Sequence, residues 1–185
     1  MMFKLVLIGD GNVGKTSVRR KYLGKGFISS HIATIGVDFA QKFVQVDNTT
    51  VRLVIWDLAG QTGFERVRKH YYQGCSAWVV VYDITNRESF DNMTRWLVEA
   101  FKYSGEIPPT AILGNKSDLR DSDEYSEFIQ SEEGQAFANL FTEKLGVPSF
   151  FFETSAKNGE NIDASFVNLT RLMIKEQEKQ KGKKK

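Results

Sequence analysis

Residues 9–17 read GDGNVGKTS and begin on the last glycine of the largely apolar run KLVLIG. That junction decides the fold. The spacing G-x-x-x-x-G-K-[ST] is met by Gly9, Asp10, Gly11, Asn12, Val13, Gly14, Lys15 and Thr16, behind a strand pattern and ahead of a helical one. Glycines let a backbone curl until successive N–H groups face one anion. A helix starting near Lys15 adds the positive end of its dipole. The Lys15 ammonium can reach β- and γ-phosphates, the Thr16 hydroxyl can occupy a Mg2+ position, and Ser17 follows in the same cradle. A merely flexible turn needs neither the lysine nor the hydroxyl. The motif names a phosphate and leaves the base open.

The rest of the chain supplies a matching frame. With 185 residues, 41% apolar and 26% charged, it reads as one globular domain able to enclose a sizeable core. Strand patterns recur at KLVLIG, DFAQKFVQV, TVRLVIWD, SAWVVVYDI, TAILGNK and SFFFETS. Those around residues 5–8, 77–82 and 110–113 lack polar alternation, as expected of strands covered on both faces. Residues 38–56 alternate better about the turn DNTT and read as a hairpin near a sheet edge. Helix-length segments are expected at 15–23, 89–102, 131–145 and from Asn161 to about Gln177. Strands alternating with helices predict an α/β domain, its sheet mostly parallel with helices on both faces. The lone Cys75 excludes an internal disulfide framework, and no apolar run is long enough to span a membrane.

Three further stretches choose the ligand. WDLAGQ at 56–61 follows a strand: Asp57 can hold a Mg2+ water, the Gly60 N–H can approach a γ-phosphate, and Gln61 can orient an attacking water. NKSD at 115–118 offers Asp118, whose two oxygens can meet the ring N–H and exocyclic amine of guanine together. Adenine has no such donor pair and would leave that carboxylate unpaired. Asn115 can tie neighbouring loops to the base, and the Lys116 stem can lie along the purine plane. SAK at 155–157 follows another strand end; Ser155, Ala156 and Lys157 complete the base site, the Ala156 N–H donating to the guanine carbonyl. GTP or GDP is the ligand these residues imply. A P-loop nucleoside kinase would need an acceptor pocket and an arginine-bearing lid, and neither is found.

Together these motifs resemble the Ras-type small GTPases, and within them the Rab branch most closely. ATIGVDF at 33–39, WDLAGQ, YYQGC at 71–75 and VVVYDIT at 79–85 carry the likeness, over roughly residues 3–174. The resemblance implies a P-loop GTPase domain over 1–174, with six strands of which one edge strand is antiparallel. It implies a slow GTPase that binds effectors according to nucleotide, with an exchange factor and an activating protein as regulators. The alternative is a guanine-nucleotide-stabilised interaction module with little hydrolysis. Thr34, in the matching TIG, would ligate Mg2+ beside Thr16 and Asp57 and touch the γ-phosphate. Gln61, Lys15, Thr34 and Gly60 would carry the catalysis. Phe27 would lie against the purine, its other reading being an apolar loop anchor. Residues 29–38 and 58–72 would be the switches. Trp56, Phe39 and Tyr72 would be either an effector-reading surface or core. His31 in the first switch is a poor stand-in for a catalytic arginine.

Departures from the Rab pattern are also legible. Leu58 stands where a Thr is usual and Thr62-Gly63 where a Glu follows the glutamine. Gly63 is expected to loosen the second switch, and Arg66, Arg68 and Lys69 to favour acidic partners. The chain ends GKKK instead of in prenylated cysteines, as a shortened chain would, or as would a Rab-like GTPase of the kind found in archaea. Residues 171–185 carry a charge of +5, leaving −3 on residues 1–170. A basic, disordered tail over 175–185 is therefore expected, in weak electrostatic contact with anionic membrane or simply solvated. Basic charge confined to a terminus argues against nucleic acid as a partner and fits a cytoplasmic protein, peripheral to a membrane at most.

Overall fold

The computed structural model describes residues 1–28 and 34–183; His31 and half of the first expected switch lie outside them. Among the described residues six strands form one sheet: β1 (Met2–Ile8), β2 (Val37–Val46), β3 (Thr49–Leu58), β4 (Ala77–Asp83), β5 (Thr110–Asn115) and β6 (Ser149–Thr154). Their order is β2-β3-β1-β4-β5-β6, with every pairing parallel except the β2–β3 hairpin at the edge. The helices are α1 (Lys15–Tyr22), α2 (Glu65–Arg68), α3 (Arg87–Asp91), α4 (Met93–Ser104), α5 (Ser131–Leu145) and α6 (Ile162–Lys183).

Alternation along the central strands sorts side chains into two cores. Leu5 and Leu7 of β1 face α1 and α6, where they meet Val18, Tyr22, Phe166, Leu169 and Met173. Val6 and Ile8 face α4 and α5, where they meet Met93, Trp96, Leu97, Ala138 and Phe141. Both faces of β1, β4 and β5 are thereby covered, which is why those strands lack polar alternation. The hairpin turn is the two-residue kind, with Asp47 at φ 53°.

Two expectations about helices change. The segment expected at 89–102 is two helices, α3 and α4, divided at Asn92. The Asn86 side chain caps the first by accepting from the Ser89 N–H, and Asn92 turns its amide to Asp10, 2.7 Å away. At the carboxyl end α6 continues to Lys183, through the segment expected to be a disordered tail. Glu, Gln and Lys are strong helix formers, and Glu176 pairs with Lys179 one turn on at 3.3 Å. Among the described residues no helix is long and apolar enough to cross a membrane.

Candidate functional site

Parallel strands deliver their carboxyl ends to one rim of the sheet, and the loops there form the natural ligand crevice. The loop after β1 meets that rim between the loops after β3 and β5. Gly14 initiates α1 from a left-handed conformation, φ 98°, and a Cβ there would lie 2.3 Å from the Asn115 amide. Only glycine allows that approach. The Asn115 amide donates to the Val13 carbonyl at 2.9 Å, and its own oxygen accepts from the Ala156 N–H at 3.2 Å. One buried amide thus ties the phosphate loop to both base loops. The Ala156 N–H, the expected donor to the base, lies at this junction of the loops.

Among the described residues the N–H groups of Gly11, Asn12, Val13 and Gly14 find no acceptor, and α1 has no side-chain cap. Unpaired donors at a helix start are an anion cradle. Ser17 is half-buried in the first turn of α1. Lys15 is buried, its ammonium donating to the Gly9 and Asp10 carbonyls at 2.8 and 2.6 Å. Burial pushes its pKa down to about 8, against the pull of the Asp57 and Asp10 carboxylates.

Three oxygen-bearing side chains converge beside it. The Thr16 hydroxyl donates to Asp57 Oδ2 at 2.5 Å and lies 2.9 Å from the Thr34 hydroxyl. Asp57 is fully buried, and its other oxygen has no partner among the described residues. Burial raises its pKa, opposed by the Thr16 bond and the Lys15 and Arg19 charges. A hard divalent cation suits that set: an orphaned carboxylate oxygen beside two hydroxyls, with no sulfur or imidazole.

Gly60 lies against the phosphate loop, where a Cβ would sit 2.4 Å from the Asp10 carbonyl carbon. Gln61 is exposed, with its side chain free to reach a ligand, while its carbonyl accepts from Arg68 at 2.6 Å. Arg68 corrects an expectation. Read as a surface charge for acidic partners, it is 1% exposed. Its guanidinium grips Glu99 of α4 through two bonds of 2.7 Å and also donates to the Ala59 carbonyl at 3.0 Å. Trp96 stacks against it at 4.6 Å and donates its indole N–H to Asp10 at 2.6 Å. Helix α4 therefore holds the phosphate loop and the Gln61 segment together. Arg66 and Lys69 remain exposed as expected.

At the base end, Asp118 accepts from the Ser155 hydroxyl at 2.5 Å, with the Lys157 ammonium 3.8 Å away. Ser155 in turn accepts from the Lys157 N–H at 3.2 Å. Lys116, at φ 72°, swings its ammonium back to Asp83 at 2.5 Å. Phe27 is 46% exposed at the rim.

The aromatic question also resolves. Tyr72 is core, its hydroxyl bonded to Glu99 at 2.7 Å. Its neighbour Tyr71 instead joins Trp56, at 4.9 Å between rings, and Trp56 joins the exposed Phe39 at the same distance. The ladder is Phe39, Trp56 and Tyr71.

Comparison with known proteins agrees with this geometry. The Ras family model matches residues 4–175. Ras-related protein RABD2b of Arabidopsis thaliana is 40% identical over 169 residues, 91% of this chain and 79% of its own length. GTP-binding protein YPTM2 of Zea mays is 39% identical over 166 residues, 90% of this chain and 77% of its own. Ras-related protein RIC1 of Oryza sativa subsp. japonica is 39% identical over 168 residues, 91% and 78% respectively.

Proposed function

This chain belongs to the Ras family and is a Rab-like GTP-hydrolysing switch; we propose that it cycles through the residues just described. The carrying observation is the meeting of Thr16, Thr34 and Asp57 beside Lys15 at the end of β1. Thr16 and Thr34 would hold Mg2+, with Asp57 accepting from its water. When bound, that ion supplies positive charge to the phosphate oxygens.

Water attacks the γ-phosphorus of GTP, the bond to the β-phosphate oxygen breaks, and GDP and phosphate leave. Gln61 orients the water, the Gly60 N–H meets the γ-phosphate, and Lys15 with the N–H groups of residues 11–14 stabilises the transferring charge. Asn115, Lys116, Asp118, Ser155, Ala156 and Lys157 build the guanine pocket, Asp118 reading the two donors of the base and Phe27 covering the purine. Asn115 and Ala156 do so by joining the loops.

Among the described residues no arginine side chain lies free at the phosphate end, since Arg19 and Arg68 are both held by carboxylates. Intrinsic turnover is slow on this reading, and an activating protein supplies the missing cation, worth about 10³ to 10⁵ in rate. Losing the γ-phosphate releases Thr34 and Gly60, and the adjoining Phe39–Trp56–Tyr71 ladder reports that change to effectors. Gln61→Leu tests the chemistry: GTP affinity stays within about threefold, while single-turnover phosphate release falls at least tenfold. Unchanged release would remove Gln61 from the mechanism and favour a binding module that seldom hydrolyses.

A further inference from the structure

Arg19 stands on the ligand-facing side of α1, one turn beyond Lys15. It is 5% exposed. Its terminal nitrogen pairs with Asp38 on β2, and its Nε lies 3.9 Å from Asp57 Oδ2. Nε and Nη1 are buried with no hydrogen-bond partner among the described residues. A half-satisfied buried guanidinium is costly, and its one bonded partner, Asp38, has a side chain 61% exposed. Stability alone gives no reason for a permanent cation here. Packing would be served by an apolar side chain, as at Val18 and Tyr22 beside it.

We propose that Arg19 is a resident counter-cation of the metal site: it sets how tightly Mg2+ is held and passes the metal's presence to Asp38 on the edge hairpin. This rests on the Mg2+ reading of Thr16, Thr34 and Asp57. Arginine cannot shed its charge, so it opposes any dication held beside Asp57. Without metal, the guanidinium shares its charge between the inner carboxylate, Asp57, and the outer one, Asp38. With metal beside Asp57, repulsion drives it onto Asp38. Asp38 precedes Phe39, the first ring of the ladder, and accepts from the Phe39 N–H at 2.8 Å. Metal occupancy and the pose of Phe39 are thus joined through one side chain.

The test is release of a fluorescent GDP from the full chain, chased with unlabelled GDP across buffered free Mg2+. The readout is the Mg2+ concentration at which release is half-suppressed. Arg19→Met lowers that midpoint about tenfold, because an opposing charge within a few ångströms is gone. Asp38→Asn raises it about threefold, because the guanidinium loses its outer anchor and leans on Asp57. Arg19→Lys keeps the charge and returns the midpoint toward that of the wild type.

Opposite signs from two neighbouring substitutions are what general loosening of the fold cannot give. A midpoint unmoved within twofold in Arg19→Met, or shifts of the same sign in both variants, overturns the proposal. Should Arg19→Met not fold, an unmoved midpoint in Asp38→Asn overturns it equally. Wild-type release indifferent to Mg2+ would instead refute the metal reading itself, a distinct result.

Discussion

Replacing Arg68 by Met is the severest test of how the Gln61 segment is held. The substitution keeps most of the stem but deletes a guanidinium making four bonds of 2.6–3.0 Å, two to Glu99 and one each to the Ala59 and Gln61 carbonyls. The side chains of Arg68 and Glu99 are 1% and 13% exposed. The Glu99 carboxylate is then left in a site that water barely reaches, with only the Tyr72 hydroxyl to donate to it. Removing one partner of a buried ion pair costs about 3–5 kcal/mol, several times what an exposed pair is worth. In a domain of this size each kcal/mol moves the melting midpoint by about 2–4 °C, so a fall on the order of 10 °C is expected.

The assay is thermal unfolding with GDP saturating, alongside single-turnover GTP hydrolysis. Most of the loss comes from the stranded charge and little from lost packing, so the double variant Arg68→Met, Glu99→Met regains at least half of it. A packing account predicts the opposite order. Hydrolysis stays slow in both variants, about tenfold below wild type, because the Gln61 carbonyl is untethered in each. GDP affinity changes little, since the base loops are untouched. A single variant that melts within 2 °C of wild type, or a double variant less stable than the single, would refute the reasoning.

Other outcomes follow from the same residues. The pKa of about 8 in the free protein predicts that GDP affinity is flat below pH 8 and falls by up to about tenfold per pH unit above it. The sign follows because phosphate holds the Lys15 proton in the complex while the free protein has let it go; affinity at pH 7.0 equal to that at pH 9.5 would contradict it. Burial pushes the Cys75 thiol up to about 12, so at pH 8 the folded protein should react with iodoacetamide about a thousandfold more slowly than the unfolded chain. Comparable rates would show that the thiol is open to solvent. Deleting residues 179–185 removes five lysines and should abolish low-salt binding to vesicles rich in anionic lipid. Vesicle binding that survives the deletion would relieve those lysines of any membrane role.

What was legible in the sequence was whatever chemistry is local. GDGNVGKTS fixes its own conformation, because the glycines, the lysine and the hydroxyl act within one turn of chain. The same holds for the apolar runs of β1, β4 and β5, while NKSD is legible as a motif even though its side chains bond to Val13, Asp83, Ser155 and Ala156 from remote loops. What stayed hidden are polar residues whose partners are remote in sequence. Arg68 reads as surface charge because nothing near it can neutralise it; Glu99 stands 31 residues on. Arg19 resembles one more basic residue in RRKY until Asp38 and Asp57 arrive from the neighbouring strands. The choice between Tyr71 and Tyr72 turned on the same fact, since only Tyr72 can reach Glu99 from the core side.

A signal was nevertheless present, in spacing and not in polarity. Lys15 and Arg19 are four apart in α1, as are Val18 and Tyr22. Helical geometry puts the members of each pair on one face. Each of these four residues is buried. The phosphate-binding motif assigns Lys15 to the ligand side of α1, so Arg19, one turn on, shares it. A charge forced inward by the helix repeat must find a countercharge, because burying it alone costs more than the domain's entire margin of stability. Applied to a basic residue one turn from a recognised phosphate lysine, that rule requires a remote carboxylate. The two candidates on the strands that close over α1 were Asp38 and Asp57, and the structure uses both.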